Sequence, residues 1–149
     1  MSAKTPAMSP SDMPYTEVLD RVTGPRRAEA DDLVAMMREV TGEEPVVWAG
    51  RIIGFGIGRY RYESGHGGTV PLAAFATNAR QHTVYLGGGF QEKYPKLLGE
   101  LGPHRATTGC LHVTRLSKVD ASVLRILVER TVRVARAVDA AVDDDQEPS

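Results

Sequence analysis

Aromatic and basic side chains are the residues of this sequence whose chemistry best suits ligand binding. An aromatic face supplies rigid contact area, and a cation beside it can hold a polar or negatively charged group. Residues of these two kinds recur from the middle of the chain onwards: Trp48, Tyr60, Tyr62, Arg80, Tyr85, His104 and Arg105. If the fold brings them together, they predict a pocket for a small molecule or an anion. Catalytic use of such a pocket stays open.

An unusual strand carries two of these aromatics. Residues 52–62 read IIGFGIGRYRY, and alternation of side chains places three glycines on the face that carries Tyr60 and Tyr62. Glycine weakens a strand, so something must come close to the backbone there. One interpretation is a twisted strand with a bulge and tight packing; the other is a shallow groove walled by the aromatics. The glycines are Gly54, Gly56 and Gly58.

Nucleophilic and metal-assisted catalysis have weak support in the sequence. Cys110 precedes an apolar residue in a predicted buried strand, where thiols are usually inert, and Ser64 lies in a predicted turn. The four histidines show no i, i+4 pair of the kind that binds zinc on a helix. No catalytic residue is therefore assigned, and a binding protein is favoured over an enzyme.

Composition narrows the class of protein. The 149 residues fit one domain, and a net charge of −1 gives no global attraction to nucleic acid or to an anionic membrane. The single cysteine excludes an intramolecular disulfide and a four-cysteine metal site. With no signal peptide and no apolar run of about 18 residues, we expect a cytoplasmic protein that is not membrane-bound.

Hydrophobic periodicity predicts the elements that must position these side chains. Helical spacing indicates helices at 15–22, 26–41, 95–101 and from residue 120, and alternation indicates strands at 46–48, 52–62, 70–77, 83–86 and 110–114. The sequence therefore predicts an α+β two-layer sandwich. Its mostly antiparallel sheet has about five strands, with long N- and C-terminal helices packed on one face. The predicted domain covers residues 15–138, between a disordered tail at 1–14 and an acidic tail at 139–149.

Three segments together resemble a known family. TGEEPVVWAGRIIGFGIGRYRYESG, TVYLGGGFQEKYPKLLGELGPHRATTGCLHV and VLRILVERTV are similar to the YdhG-like family, a bacterial domain of unknown function. A frataxin-like iron-chaperone role has been assigned to some of its members. The resemblance implies the α+β sandwich, and it implies a non-enzymatic module that binds iron or delivers it to an iron-accepting protein.

Iron handling would need exposed carboxylate oxygens, which suit a hard cation. The second predicted helix and the turn after it offer such a set: Asp32, Glu39, Glu43 and Glu44. Arg27 and Arg38 share the exposed side of this helix, so the alternative is a solvated face with ion pairs.

The sequence also departs from the family pattern. Gly58 replaces a usual tyrosine, residues 76–79 replace a stretch that commonly reads Ser-Pro-Arg-Lys, and Pro103 falls where lysines are common. An anion site made of those basic residues would be mostly lost here. A third hypothesis is a regulatory protein–protein interaction domain, or a homodimer, that uses the last helix.

Overall fold

The chain folds into five helices and eight strands over the residues that the structure describes. The structure is a computed structural model that describes residues 10–61 and 64–146, with side chains to residue 143. The helices are α1 (Tyr15–Leu19), α2 (Pro25–Thr41), α3 (Phe90–Lys93), α4 (Pro95–Leu101) and α5 (Ala121–Gln146). The strands are β1 (Pro45–Trp48), β2 (Ile52–Phe55), β3 (Gly58–Arg61), β4 (Gly67–Val70), β5 (Ala73–Thr77), β6 (His82–Tyr85), β7 (Arg105–Thr107) and β8 (Cys110–Val113). Leu116–Lys118 forms a 3₁₀ turn.

An antiparallel sheet organises the fold and confirms the predicted α+β class. Its six strands lie in the order β1-β2-β5-β6-β8-β7, and β3 pairs with β4 in a separate hairpin. The sheet is therefore larger than the five strands predicted. The long C-terminal helix α5 is confirmed. The N-terminal helix is short: α1 has only five residues and ends at Leu19. The chain then turns, and α2 begins at Pro25 after Gly24, which has a φ of 75°.

The predicted strand at 52–62 is divided into β2 and β3. Gly56 takes a φ of +73°, a left-handed conformation that interrupts the extended backbone between β2 and β3. Before this break Gly54 packs against Trp48, and a Cβ built at Gly54 would lie 2.7 Å from the Trp48 ring. The glycines therefore serve tight packing and a change of chain direction. The close packing agrees with the first of the two interpretations, but the structure shows two strands where that interpretation had one bulged strand.

The main core lies between one face of the sheet and the helices. Alternate strand residues such as Ile53, Phe75 and Leu111 are fully buried against α2 and α5. Trp48 and Ala74 belong to a smaller buried cluster with Ile52, on the opposite face of β1, β2 and β5. Among the described residues, no helix combines the length and apolar character needed to cross a bilayer.

A buried carboxylate joins three elements of the fold. Glu29 of α2 accepts hydrogen bonds from His82 Nε2 of β6 at 3.0 Å, from Arg115 Nε at 3.0 Å and from the backbone N–H groups of Leu116 and Ser117. Burial alone raises the pKa of the Glu29 carboxyl. These hydrogen bonds outweigh burial, so the pKa falls from 4.5 to about 2. The ionised Glu29 side chain thus links α2 to the sheet and to the 3₁₀ turn.

Described residues within both predicted tails contact the rest of the domain. Pro10 forms an antiparallel bridge with Trp48, and Ser11 donates from its backbone N–H to Val47 O at 3.0 Å. Residues 10–14 therefore lie against the domain, and residues 1–9 are outside the described part. At the other end α5 continues to Gln146, and its Asp139 and Asp143 side chains form ion pairs with Arg59.

We predict that Gly54→Ala lowers the free energy of unfolding by about 2 kcal/mol, because the new methyl group would overlap the Trp48 ring and Pro71. Urea denaturation measures the change. Gly99→Ala is the matched control: Gly99 lies inside α4 with nothing within 4 Å of its built Cβ. The control should be neutral or stabilising. Equal destabilisation by both variants would contradict the packing described for Gly54.

We predict that Glu29→Gln costs about 2–4 kcal/mol at pH 7, because Arg115 and two backbone donors lose their charged acceptor. A folded pKa of about 2 against an ordinary 4.5 means that this stabilisation is complete above pH 4.5. It is lost as the pH falls towards 2. Urea denaturation at pH 7 and pH 3 should therefore show the gap between wild type and variant shrinking on acidification. A gap independent of pH would refute the role given to the carboxylate.

Candidate functional site

The β3–β4 hairpin is fastened to α5 by one arginine. The Arg59 backbone N–H donates to Asp139 Oδ1 at 2.8 Å, and its guanidinium donates to Asp139 at 2.7 Å and to Asp143 at 2.8 Å. The hydrogen bonds from Arg59 lower the pKa of both carboxyl groups. This cluster, which we call the Arg59 clamp, holds the hairpin beside the C-terminal half of α5.

A cavity of about 430 Å³ opens beside the clamped hairpin. Its walls come from the link between β4 and β5, the end of β6, the glycine loop at 87–89, the α3–α4 junction, the β7–β8 turn and α5. The lining residues are Val70, Pro71, Leu72, Ala74, Tyr85, Leu86, Gly87, Gly88, Lys93, Tyr94, Thr108, Gly109, Cys110, Thr131, Val134 and Ala135. We call this cavity the apolar pocket. Val70 and Val134 keep 37% and 42% of their surface exposed, so the pocket is open to solvent on an apolar side.

A few polar groups interrupt the apolar lining. The Thr131 hydroxyl donates to Leu127 O at 2.9 Å, so its hydrogen is already committed to α5. Outside the lining, Arg130 lies over the ring of the lining residue Tyr94, with its guanidinium carbon 5.6 Å from the ring centre. Lys93 is exposed at the lining and forms no ion pair within the described part of the chain. The pocket thus offers an apolar interior and a positively charged edge.

The seven residues predicted for one pocket are distributed over the molecule. Tyr85 lines the apolar pocket, whereas Trp48 is 1% exposed and packs in the smaller core cluster. Tyr60 is half-buried in β3, and a Cβ built at Gly68 would lie 2.8 Å from its hydroxyl. Arg80 is exposed in the turn between β5 and β6. Tyr62 lies outside the described residues.

The remaining two predicted residues share a second cavity. His104 and Arg105 line a polar cleft of about 240 Å³ at the end of the β7–β8 hairpin opposite to the apolar pocket. The structure therefore brings together His104 and Arg105, but it places Tyr85 in a different cavity.

The predicted iron ligands do not form a cluster. Arg125 pairs with Glu39 at 2.8 Å, and Arg38 pairs with Glu44 at 3.1 Å. Asp32 lines a cavity between α2 and the start of α5, and the Glu43 side chain lies beside Gly56. Over the described residues, no three His, Cys, Asp or Glu side chains are grouped to hold a metal ion. Iron binding stays a prediction, and calorimetry with ferrous ion tests it.

Sequence reasoning missed most of the apolar pocket. Its walls are ordinary apolar residues that come together from six separate segments, and no local motif marks such a convergence. One residue of the pocket was visible in the sequence of α5: Val134 interrupts the polar side of the helix and remains 42% exposed in the structure. A single exposed valine is common on protein surfaces, so the sequence alone did not mark a pocket.

Comparison of the chain with models of known protein families, with curated proteins and with solved structures gave no match. The assignment of function therefore depends on the geometry of the cavities.

We predict that Arg59→Met increases amide hydrogen exchange in β3 and β4 several-fold, because the hairpin loses the Arg59 clamp to α5. Exchange in β5 and β6 should stay unchanged. Arg61→Met is the matched control, since Arg61 lies on the same strand and is exposed. If both variants behaved like the wild type, the clamp would not be what holds the hairpin.

Proposed function

We propose that this protein is a binding module for a small amphiphilic molecule whose apolar body enters the apolar pocket. The observation that carries the proposal is the cavity itself: about 430 Å³, walled by apolar side chains and open to solvent. Ligand sites in proteins are concave, mostly apolar and about 300–1,000 Å³ in volume, with a few polar groups that orient the ligand.

Exposed valines favour a ligand that buries apolar surface. Burial of apolar area contributes about 25 cal/mol per Å², and Val70 and Val134 are both incompletely covered. A ligand lying between the hairpin and α5 would cover both of them. The Arg59 clamp holds these two walls at a fixed separation, so little ordering cost is left for binding.

The positive edge favours a ligand with a negatively charged or strongly polar head. Lys93 supplies an ammonium group beside the opening, and Tyr85 and Tyr94 supply phenolic rings within the lining. An acid with an aliphatic or aromatic body matches this arrangement, because its head meets the lysine while its body meets the valines.

The family assignment belongs to the same proposal. We propose membership of the YdhG-like family from the sequence resemblance, and a two-layer sandwich from the packing of α2 and α5 against β5. A cytoplasmic location is proposed from the sequence composition alone. Iron delivery, an iron-accepting partner and self-association through the last helix remain predictions that no contact in the described residues favours.

We predict that the protein binds 8-anilinonaphthalene-1-sulfonate, an aromatic body with an anionic head, at a single saturable site. Val134→Trp should weaken this binding at least about tenfold, because the indole would fill the opening. The dye's fluorescence, excited outside the tryptophan band, gives the affinity. Displacement by decanoate would place an acid with an aliphatic body in the same site.

Val138→Trp is the matched control, since Val138 lies one turn further along α5 with the same 42% exposure and outside the pocket lining. The control should bind the dye within about twofold of the wild type. Equal binding by the wild type and both variants, or loss in both, would overturn the proposed site. Thermal melting of each variant shows that the fold is intact.

A further inference from the structure

A second cavity lies at the far end of the same sheet. It is formed by the start of β7, the end of β8, the residues before β6 and the 3₁₀ turn, and it measures about 240 Å³. Its lining residues are Gln81, Pro103, His104, Arg105, His112, Thr114, Arg115 and Lys118. We call it the basic cleft. In the register of β6, β8 and β7, Arg105 pairs with His112, whereas Cys110 of the apolar pocket pairs with Tyr85.

The basic cleft has cations in its lining and no carboxylate. Its lining includes Arg105, Arg115 and Lys118 and contains none of the described aspartates or glutamates. Of these three cations, Arg115 donates to Glu29 at 3.0 Å and is largely neutralised. Arg105 reaches only the Gln81 side-chain oxygen at 3.4 Å, and Lys118 has no carboxylate within ion-pair distance in the described chain.

A further cation borders the cleft behind Thr114. Arg26 of α2 donates to Thr114 O at 2.8 Å and to Ala79 O at 2.9 Å, so its guanidinium is held by neutral carbonyl groups. The positive charge of this region is therefore not cancelled by its protein surroundings. Arg105 of β7 and Lys118 of the 3₁₀ turn both line the cleft, so an anion bound there would lie beside both charges.

His112 forms a fixed, neutral part of the cleft. Burial, and then the positive charge of Arg105, lower the pKa of the His112 imidazole. The Gln81 amide nitrogen lies 3.2 Å from His112 Nδ1, so Nδ1 accepts and the proton lies on Nε2, which donates to the Thr107 hydroxyl at 2.9 Å. In this orientation the Gln81 side-chain oxygen accepts a hydrogen bond from the Arg105 guanidinium at 3.4 Å.

We propose that the basic cleft binds a compact oxyanion, namely the phosphate group of a small phosphorylated molecule. The volume lies below the range of about 300–1,000 Å³ that is usual for whole organic ligands, which suits a small anionic group. An arginine fork and a lysine ammonium match a doubly charged phosphate, because the fork donates two parallel hydrogen bonds and the ammonium adds a point charge. This site is separate from the apolar pocket and does not depend on its ligand.

Titration of the full chain with inorganic phosphate, with ribose 5-phosphate and with ribose tests the proposal, at constant ionic strength and with ¹H–¹⁵N spectra as the readout. Both phosphates should shift the backbone amides of Arg105, His112 and Lys118, and ribose should not. Tighter binding of ribose 5-phosphate would show that the cleft also contacts the organic part. Equal binding would show that it recognises the phosphate alone.

The double variant Arg105→Gln/Lys118→Gln should lose at least about tenfold in phosphate affinity. Lys96→Gln/Arg133→Gln is the matched control, because it removes the same net charge from exposed positions outside the cleft. The control should bind phosphate within about twofold of the wild type. No shift at the cleft in the wild type, or an equal loss in the two double variants, would overturn the proposal. Binding of the dye to the apolar pocket should be the same in all of these proteins.

Discussion

The break at Gly56 is the constraint on which the rest of the structure depends. A left-handed glycine with a φ of +73° ends β2 and sends the chain out of the six-stranded sheet. Any residue with a side chain would be strained there, and its Cβ would lie 2.6 Å from Leu72. Because β3 and β4 leave the sheet at this point, they can lean on α5. The apolar pocket lies between the residues that follow this hairpin and α5.

Ion pairs then fix the β3–β4 hairpin, which follows the break at Gly56, against α5. The Arg59 clamp uses two carboxylates of α5 that would otherwise repel each other at a helix end, and it turns an acidic segment into a structural contact. At the other end of the sheet, Glu29 of α2 forms an ion pair with Arg115. Arg115 also lines the basic cleft, so this ion pair links the cleft to α2. The two candidate sites lie at opposite ends of strands β6, β8 and β7. The Arg59 clamp lies beside the apolar pocket, and the Glu29–Arg115 ion pair lies beside the basic cleft.

The sequence predicts those features that depend on local patterns. Helices α2 and α5 follow from their apolar stripes, from Gly42 at the end of α2 and from the Asp120 carboxylate that caps α5. The glycines at 54–58 indicate that another group packs closely against the strand backbone. The alternation of side chains could not show which of these glycines takes the left-handed conformation. Pocket residues such as Lys93 and Val134 meet only in the folded chain. Likewise, Trp48 has the chemistry of a binding residue, yet burial against Gly54 assigns it to packing.

The most direct test of the central claim is the pattern of nuclear Overhauser effects around Gly56. The structure predicts contacts that pair Gly58 with Val70 and Tyr60 with Gly68, together with contacts between Gly58 and Ala135 of α5. The β1–β2 pairing should stop at Pro45 and Phe55. An unbroken strand would instead pair Ile57 with Pro71 in the register of β2 and β5 and would lack the contact between Gly58 and Ala135; that pattern would contradict the account.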